Sequence, residues 1–167
     1  MRRVGSMTVK EICQTALVVS DLRHSIQQFH EILGLSPWKV YTYAPPKLRD
    51  TFVRGKPEPF SMKVAFASVG SITLELIQPL EGNSIYREFL ESHGDGLHHI
   101  ASFTIDDMDK AIAPLEGRGV KVLQRGRYIT DDYEAIFAYM DTEKTIGTIF
   151  EFLKVTGKRP PPEETYP

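Results

Sequence analysis

The sequence predicts an α+β fold of two tandem βαβββ modules whose curved sheets enclose a cleft, and three observations carry that prediction. A β-prone run followed by a capped amphipathic helix occurs twice, each copy closes on a similar strand, and each closing strand carries a glutamate at the matching place. Two equivalent sheets curling against each other leave a cleft between them, with the helices on the outer faces.

The first copy opens with Gln14-Thr-Ala-Leu-Val-Val-Ser-Asp21, a β-prone run ending in a helix cap. Leu22, Ile26, Phe29 and Leu33 then recur at helical spacing before Gly34. In the second copy, His99-Ile-Ala-Ser-Phe-Thr-Ile-Asp106 repeats the strand and cap, and Met108, Ile112 and Leu115 repeat the stripe before Gly117 and Gly119, with Pro114 inside the helix. The closing strands are Ser71-Ile-Thr-Leu-Glu-Leu-Ile77 and Gly147-Thr-Ile-Phe-Glu-Phe-Leu153. Asn83 to His93, with Ile85, Phe89 and Leu90 at helical spacing and Gly94 beyond, bridges the copies. The chain thus divides into an N-terminal arm at 1–10, a first module at 11–82, a helical bridge at 83–95, a second module at 96–154 and a Pro-rich tail at 155–167. Both ends are expected to lie apart from the chemistry, the tail as an extended or loose segment. Tyr41 to Pro59, rich in proline and holding Arg49 and Arg54, is long and irregular enough for a substrate-covering loop, although solvated surface is the ordinary place for either arginine.

Composition narrows the function. Hydrophobic residues make up 41% of 167, enough for a real core, and the net charge of −2 with scattered basic residues excludes the electrostatic footprint of a nucleic-acid binder or a polybasic membrane anchor. No run approaches the roughly 18 apolar residues of a spanning helix, and no secretory segment follows Met1, so the expectation is a cytoplasmic protein with small-molecule partners. The single cysteine, Cys13, excludes an internal disulfide and a thiolate zinc site, and its apolar neighbours mark it as a core thiol.

Strand alternation puts Leu74 and Leu76 on one face and Thr73, Glu75 and Ile77 on the other; it likewise opposes Phe150 and Phe152 to Ile149, Glu151 and Leu153. A carboxylate between large apolar residues is costly unless it meets a cation or hydrogen bonds, and two at matching repeat positions point to a shared cation. The bland reading is a strand with one wet face. Gln14 and His99 also match, each lying seven residues before its capping aspartate. His98 competes with His99 for the cleft, since adjacent strand residues face opposite ways. One additional residue between His99 and the second helix leaves room for a bulge or register shift near Ser102.

These residues resemble the vicinal oxygen chelate superfamily, which includes glyoxalase I, methylmalonyl-CoA epimerase, extradiol dioxygenases and bleomycin-resistance proteins. The resemblance spans about residues 10–154. Leu74 to Leu80, Gly94-Asp-Gly-Leu-His-His-Ile100 and the stretch to Val122 look most like the epimerases, whereas the quartet Gln14, Glu75, His99 and Glu151 is similar to glyoxalase I. The resemblance implies that this quartet binds one divalent metal ion in the cleft; one nitrogen and three oxygens suit Zn, Co, Ni or Mn. It also implies a homodimer and a thioester or hemithioacetal substrate. An extradiol dioxygenase needs a second histidine where Gln14 stands, and antibiotic-sequestering members typically lack the metal quartet.

Proton removal beside a carbonyl is the chemistry shared by the remaining members. By this resemblance Glu151 is the base, and Lys63 in Ser61-Met-Lys-Val-Ala-Phe66 stands where the epimerases carry a second, glutamate base. The glyoxalase pattern has a glutathione-gripping arginine where this chain has Val18. The expected activity is therefore a metal-dependent isomerase acting at the α-carbon of an acyl-CoA thioester. The alternatives are a lactoylglutathione lyase and a non-catalytic metal-containing binding module.

Overall fold

Apolar residues at alternate positions make Gln14–Val18 a strand (β1), and Asp21 then accepts the His24 N–H at 3.0 Å to cap the helix Leu22–Leu33 (α1). Gly34, at φ 66°, ends it in the left-handed region. Leu22 and Ile26 of the expected stripe are buried and Phe29 packs beside them, while Leu33 in the last turn is 63% exposed. The computed structural model describes residues 9–104 and 107–167, so most of the N-terminal arm and the expected cap Asp106 lie outside the described residues.

The remaining elements follow as strands Trp38–Tyr43 (β2), Leu48–Val53 (β3), Lys56–Pro57 (β4), Met62–Val69 (β5) and Ile72–Pro79 (β6), then helix Ile85–His93 (α2). Gly96–Phe103 (β7), helix Met108–Glu116 (α3), Val122–Thr130 (β8), Tyr133–Met140 (β9), the short helix Glu143–Ile146 (α4), Ile149–Gly157 (β10) and Glu164–Tyr166 (β11) complete the described chain. The strands form one curled open sheet in the order β11-β2-β5-β6-β1-β7-β10-β9-β8-β3-β4. Its middle is two copies of the same four-strand arrangement, β2-β5-β6-β1 and β7-β10-β9-β8, joined by the antiparallel β1–β7 pair. Within each copy the first and last strands run parallel.

Helices α1 and α3 cover the convex face. α1 packs on Leu76, Ala65, Val40 and Trp38 of the first half, and α3 on Phe150, Phe152, Ala138 and Met140 of the second. Asp107 caps α3 by accepting the Asp109 N–H, and Pro114 is accommodated inside the helix. Ser84 caps α2 by accepting the Arg87 N–H at 3.2 Å. The concave face carries the largest core, in which aromatic rings from both halves meet: Tyr41, Tyr43, Phe60, Phe66, Tyr86, Tyr128, Tyr133, Phe137 and Tyr139.

Two expectations from the sequence change here. Residues 41–59 are not an irregular covering loop: β3 crosses to the second half and pairs with β8, and Arg54-Gly55, at φ 51° and 79°, turns the chain into β4. This pairing covers the edge that β8 would otherwise expose, and it buries Leu48 and Val53 in the concave core. Arg54 there pairs with Glu88 of α2 at 2.6 Å, and Arg49 donates to the Pro46 carbonyl, so both arginines serve the fold. Nor is the tail loose. β10 runs on to Gly157, and residues 164–166 return across the cleft to pair with β2, covering the opposite edge. Glu163 fastens this crossing by accepting the N–H and hydroxyl of Thr42 at 2.9 and 2.8 Å.

Candidate functional site

The four strands at the centre of the sheet, β6, β1, β7 and β10, each send one polar side chain into the concave face. Register explains the convergence: Gln14 lies beside Thr73 of β6 and Ala101 of β7, while Glu151 pairs with the same Ala101, so all four side chains share one face. Gln14, Glu75, His99 and Glu151 are all buried, His99 completely. The Gln14 amide donates to Glu75 Oε2 at 2.7 Å and reaches Glu151 Oε2 at 3.5 Å. His99 Nε2 stands 3.1 Å from Glu151 Oε2 and 3.6 Å from Glu75 Oε2, yet it has no well-formed hydrogen bond. One chain supplies the whole cluster, two side chains from each half.

Burial strongly penalises the His99 charge, but the negative charge of Glu151 and contacts with both carboxylates outweigh it, and the pKa is pushed up to about 9. Burial also raises the Glu75 pKa, against the lowering effect of His99. Two carboxylates and one imidazole therefore share a buried site, the setting in which a further cation is favoured.

His98 does not face simply away from the cluster. β7 bulges against β1 so that Ala16 pairs with His99 and Leu17 with Leu97, leaving His98 as the extra residue. This bulge precedes His99 and is separate from the one expected near Ser102, where pairing with β10 is regular. His98 Nδ1 lies 2.9 Å from His99 Nδ1, and its ring is boxed by Tyr86, Phe89 and Tyr139. Burial, then the neighbouring His99, holds its pKa well below the usual histidine value, so His98 is neutral beside His99. This contact fixes which nitrogen of His99 turns to the carboxylates. The adjacent pair His98-His99 was the only signal for it in the sequence.

Lys63, read from the sequence as either a second base or an ordinary strand lysine on the solvent side, does not join the cluster. Phe66 pairs with Glu75, and Lys63, three residues earlier, points to the other face beside Gln78, Val40 and Glu164. Cys13 is a buried core thiol, donating to the Ala101 carbonyl at 3.4 Å, and burial followed by the charge of Glu151 pushes its pKa up to about 11.

Beside the cluster a cavity of about 790 Å³ opens on the concave face. Phe66 and Thr73, the strand neighbours of Glu75 and Gln14, line one wall with Lys39 and Tyr41; Asp131, Asp132 and Lys158 to Pro162 line the other. The tail is therefore part of the cleft, and Arg159 is a residue that the sequence reading missed. Its side chain lies over Tyr41, Phe66 and Tyr133, with the guanidinium 4.2 Å from the Phe66 ring centre. A proline-rich tail gave no sign of this placement.

A curled sheet of paired βαβββ halves with a polar cluster buried at its middle defines the class of protein. Residues 13–139 match the model of the glyoxalase/bleomycin resistance protein/dioxygenase superfamily, and the chain belongs to that family. It is 33% identical over 96 residues to the uncharacterized protein YqjC of Bacillus subtilis (strain 168), covering 58% of this chain and 67% of that protein. Among solved structures, it is similar to a hypothetical protein, BH1468, from Bacillus halodurans C-125, at a TM-score of 0.62 and 20% identity, over 92% of this chain and 98% of that one. The methylmalonyl-CoA epimerase of Mycobacterium tuberculosis gives 0.60 and 18%, over 92% and 93%. A Streptomyces coelicolor methylmalonyl-CoA epimerase in complex with 2-nitronate-propionyl-CoA gives 0.61 and 19%, over 88% and 98%. At these identities the structures share the fold. Among the described residues no helix is long and apolar enough to cross a membrane.

Proposed function

We propose that this chain is a divalent-metal-dependent isomerase or lyase that moves a proton at a carbon beside a thioester or ketone carbonyl. The observation that carries the reading is the buried convergence of Gln14, Glu75, His99 and Glu151, with His99 Nε2 turned to two carboxylates without a hydrogen bond. Among the described residues no three His, Cys, Asp or Glu side chains stand ready-spread as an ion cage, and the Gln14 amide donates to Glu75. Their chemistry nevertheless fits a cation. Ligands about 2.1 Å from one ion and at right angles lie about 3 Å apart, within the 2.7–3.6 Å range of the donor separations here. A half-turn of the Gln14 amide would replace its nitrogen with its oxygen, giving the one-nitrogen, three-oxygen set suited to Zn, Co, Ni or Mn.

When bound, the metal would supply positive charge that stabilises the oxygen of an enolate or enediolate. Glu151 is the base: its carboxylate takes the α-proton and returns it to the planar carbon. With Lys63 on the far face, a two-base epimerase would draw its second carboxylate from Glu75, which enters from the other half of the sheet. Aromatic rings of the concave core pack around the site. An acyl-CoA epimerisation heads the candidate reactions, and the similarity to acyl-CoA epimerase structures supports it. Lactoylglutathione lyase chemistry is the second reading, favoured by the placement of Lys63, because a proton shuttled by one carboxylate needs no base on the opposite face. Assembly as a homodimer would leave this cluster complete within each chain.

The test is deuterium incorporation at the α-carbon of methylmalonyl-CoA in D₂O with Co²⁺, for the wild type and Glu151→Gln, run beside turnover of the methylglyoxal–glutathione hemithioacetal. Metal-dependent exchange abolished by Glu151→Gln is the expected result for the epimerase reading. Turnover of the hemithioacetal alone selects the lyase reading. No exchange and no turnover with any of the four metals would leave only a binding module.

A further inference from the structure

We propose that the cavity beside the cluster is an anion site, in which Arg159, with Lys39 and Lys158 at the rim, grips an anionic oxygen group of the substrate. The proposal deepens the metal-dependent proton-transfer reading and rests on it for the word substrate; the anion site itself stands on geometry.

Arg159 is half-buried between three aromatic rings, and among the described residues no carboxylate lies within ion-pair distance of it. Its Nε and Nη2 donate to the Tyr133 hydroxyl at 3.0 and 2.9 Å, while Nη1 makes no hydrogen bond among the described residues. A guanidinium carries five donors and retains its charge, so a half-buried one given only a neutral acceptor has unused capacity for an anion. The rings hold its plane in place, which reduces the entropy lost when a ligand binds.

The surroundings favour the same ligand. Lys39 and Lys158 line the cavity, and neither makes an ion pair within the described residues. Asp131 and Asp132 also line it, but both are exposed in the β8–β9 turn and reach none of the three cations. The cavity wall includes Phe66 and Thr73, the strand partners of Glu75 and Gln14, so an anionic group held at Arg159 sits beside the strands that carry the cluster.

The way the tail is held shows that Arg159 is positioned by the fold. Gly157 has φ 78°, and a Cβ there would lie 2.0 Å from the Asp132 carbonyl oxygen, which accepts the Lys158 N–H at 2.8 Å. The chain therefore bends at Gly157 and delivers the next two side chains to the cavity, before Glu163 and β11 pin it to β2.

A carboxylate on the acyl group and a phosphate on its carrier share the required chemistry. Binding of malonate and of adenosine 3′,5′-bisphosphate to the metal-free full chain, followed by tyrosine fluorescence, separates the two sources. The variants are Arg159→Gln and Arg159→Lys. We expect at least one of the two anions to bind, with affinity at least tenfold weaker in Arg159→Gln and partly recovered in Arg159→Lys, which keeps the charge but not the fork. Malonate binding assigns the site to the acyl carboxylate, and bisphosphate binding assigns it to the carrier. Failure of both anions to bind, or binding unchanged in a folded Arg159→Gln, overturns the proposal. Because no metal or turnover is required, weakened anion binding without α-proton exchange would sink the catalytic reading and leave the anion site standing.

Discussion

Gly147 and Gly157 adopt nearly the same backbone, φ 83° and 78°, but differ in what surrounds them. A Cβ at Gly147 would meet nothing within 4 Å, whereas at Gly157 it would lie 2.0 Å from the Asp132 carbonyl oxygen and 2.9 Å from its carbon. Alanine at Gly147 should cost only the left-handed strain, about 1–2 kcal/mol. At Gly157 the same strain applies, and the backbone must also retreat by more than about 1 Å to restore van der Waals contact, which breaks the Lys158 N–H bond to Asp132 at a further cost of about 1 kcal/mol or more. The expected losses are thus about 1.5 kcal/mol for Gly147→Ala and about 3 kcal/mol for Gly157→Ala. At roughly 2–4 °C per kcal/mol for a chain of this size, thermal unfolding should fall by about 3–6 °C and 6–12 °C respectively. Scanning calorimetry of both variants beside wild type measures the difference. Equal shifts would refute the reasoning, because they would mean that Asp132 and the tail do not form the tight contact from which the placement of Arg159 is argued.

Other outcomes follow from the cluster and the core. Addition of Co²⁺ or Zn²⁺ at 100 times its dissociation constant should stabilise the fold by about 2.7 kcal/mol, and chelation should reverse this; His99→Ala should abolish the gain, as read by a thermal shift. Lys63→Met should leave α-proton exchange within twofold of wild type, because Lys63 lies on the face opposite Glu75; a tenfold loss would contradict that placement. Phe152→Ala, which empties a buried position between β10 and α3, should cost about 3–5 kcal/mol in a denaturant titration. Cys13, 7% exposed, should react with a thiol reagent only as the protein unfolds, so a fast reaction in the native state would show that the N-terminal end of β1 opens.

Period and symmetry made the inner sheet readable from the sequence alone. Alternation placed Glu75 and Glu151 on the concave face and Leu76, Phe150 and Phe152 under the helices, as their packing shows. Asp21 and Gly34 marked the ends of α1 because capping is local chemistry. The matching repeat positions of Gln14 and His99 could also be found by counting, and the structure brings them to the two glutamates.

Tertiary structure decided what depends on partners distant along the chain. The bulge at His98 arises from pairing between β7 and β1, and the face of Lys63 follows from the register of β5 against β6. Residues 41–59 became strand because β8 offered an unpaired edge, and the tail became strand because β2 did. Open edges are a property of the assembled sheet, so no local pattern of prolines and charges announces what will cover them. Arg159 illustrates the consequence. The sequence determined that this chain builds two matching halves around a central polar cluster; the need of the finished sheet to cover its edges drew the tail over the cleft and put a guanidinium beside it.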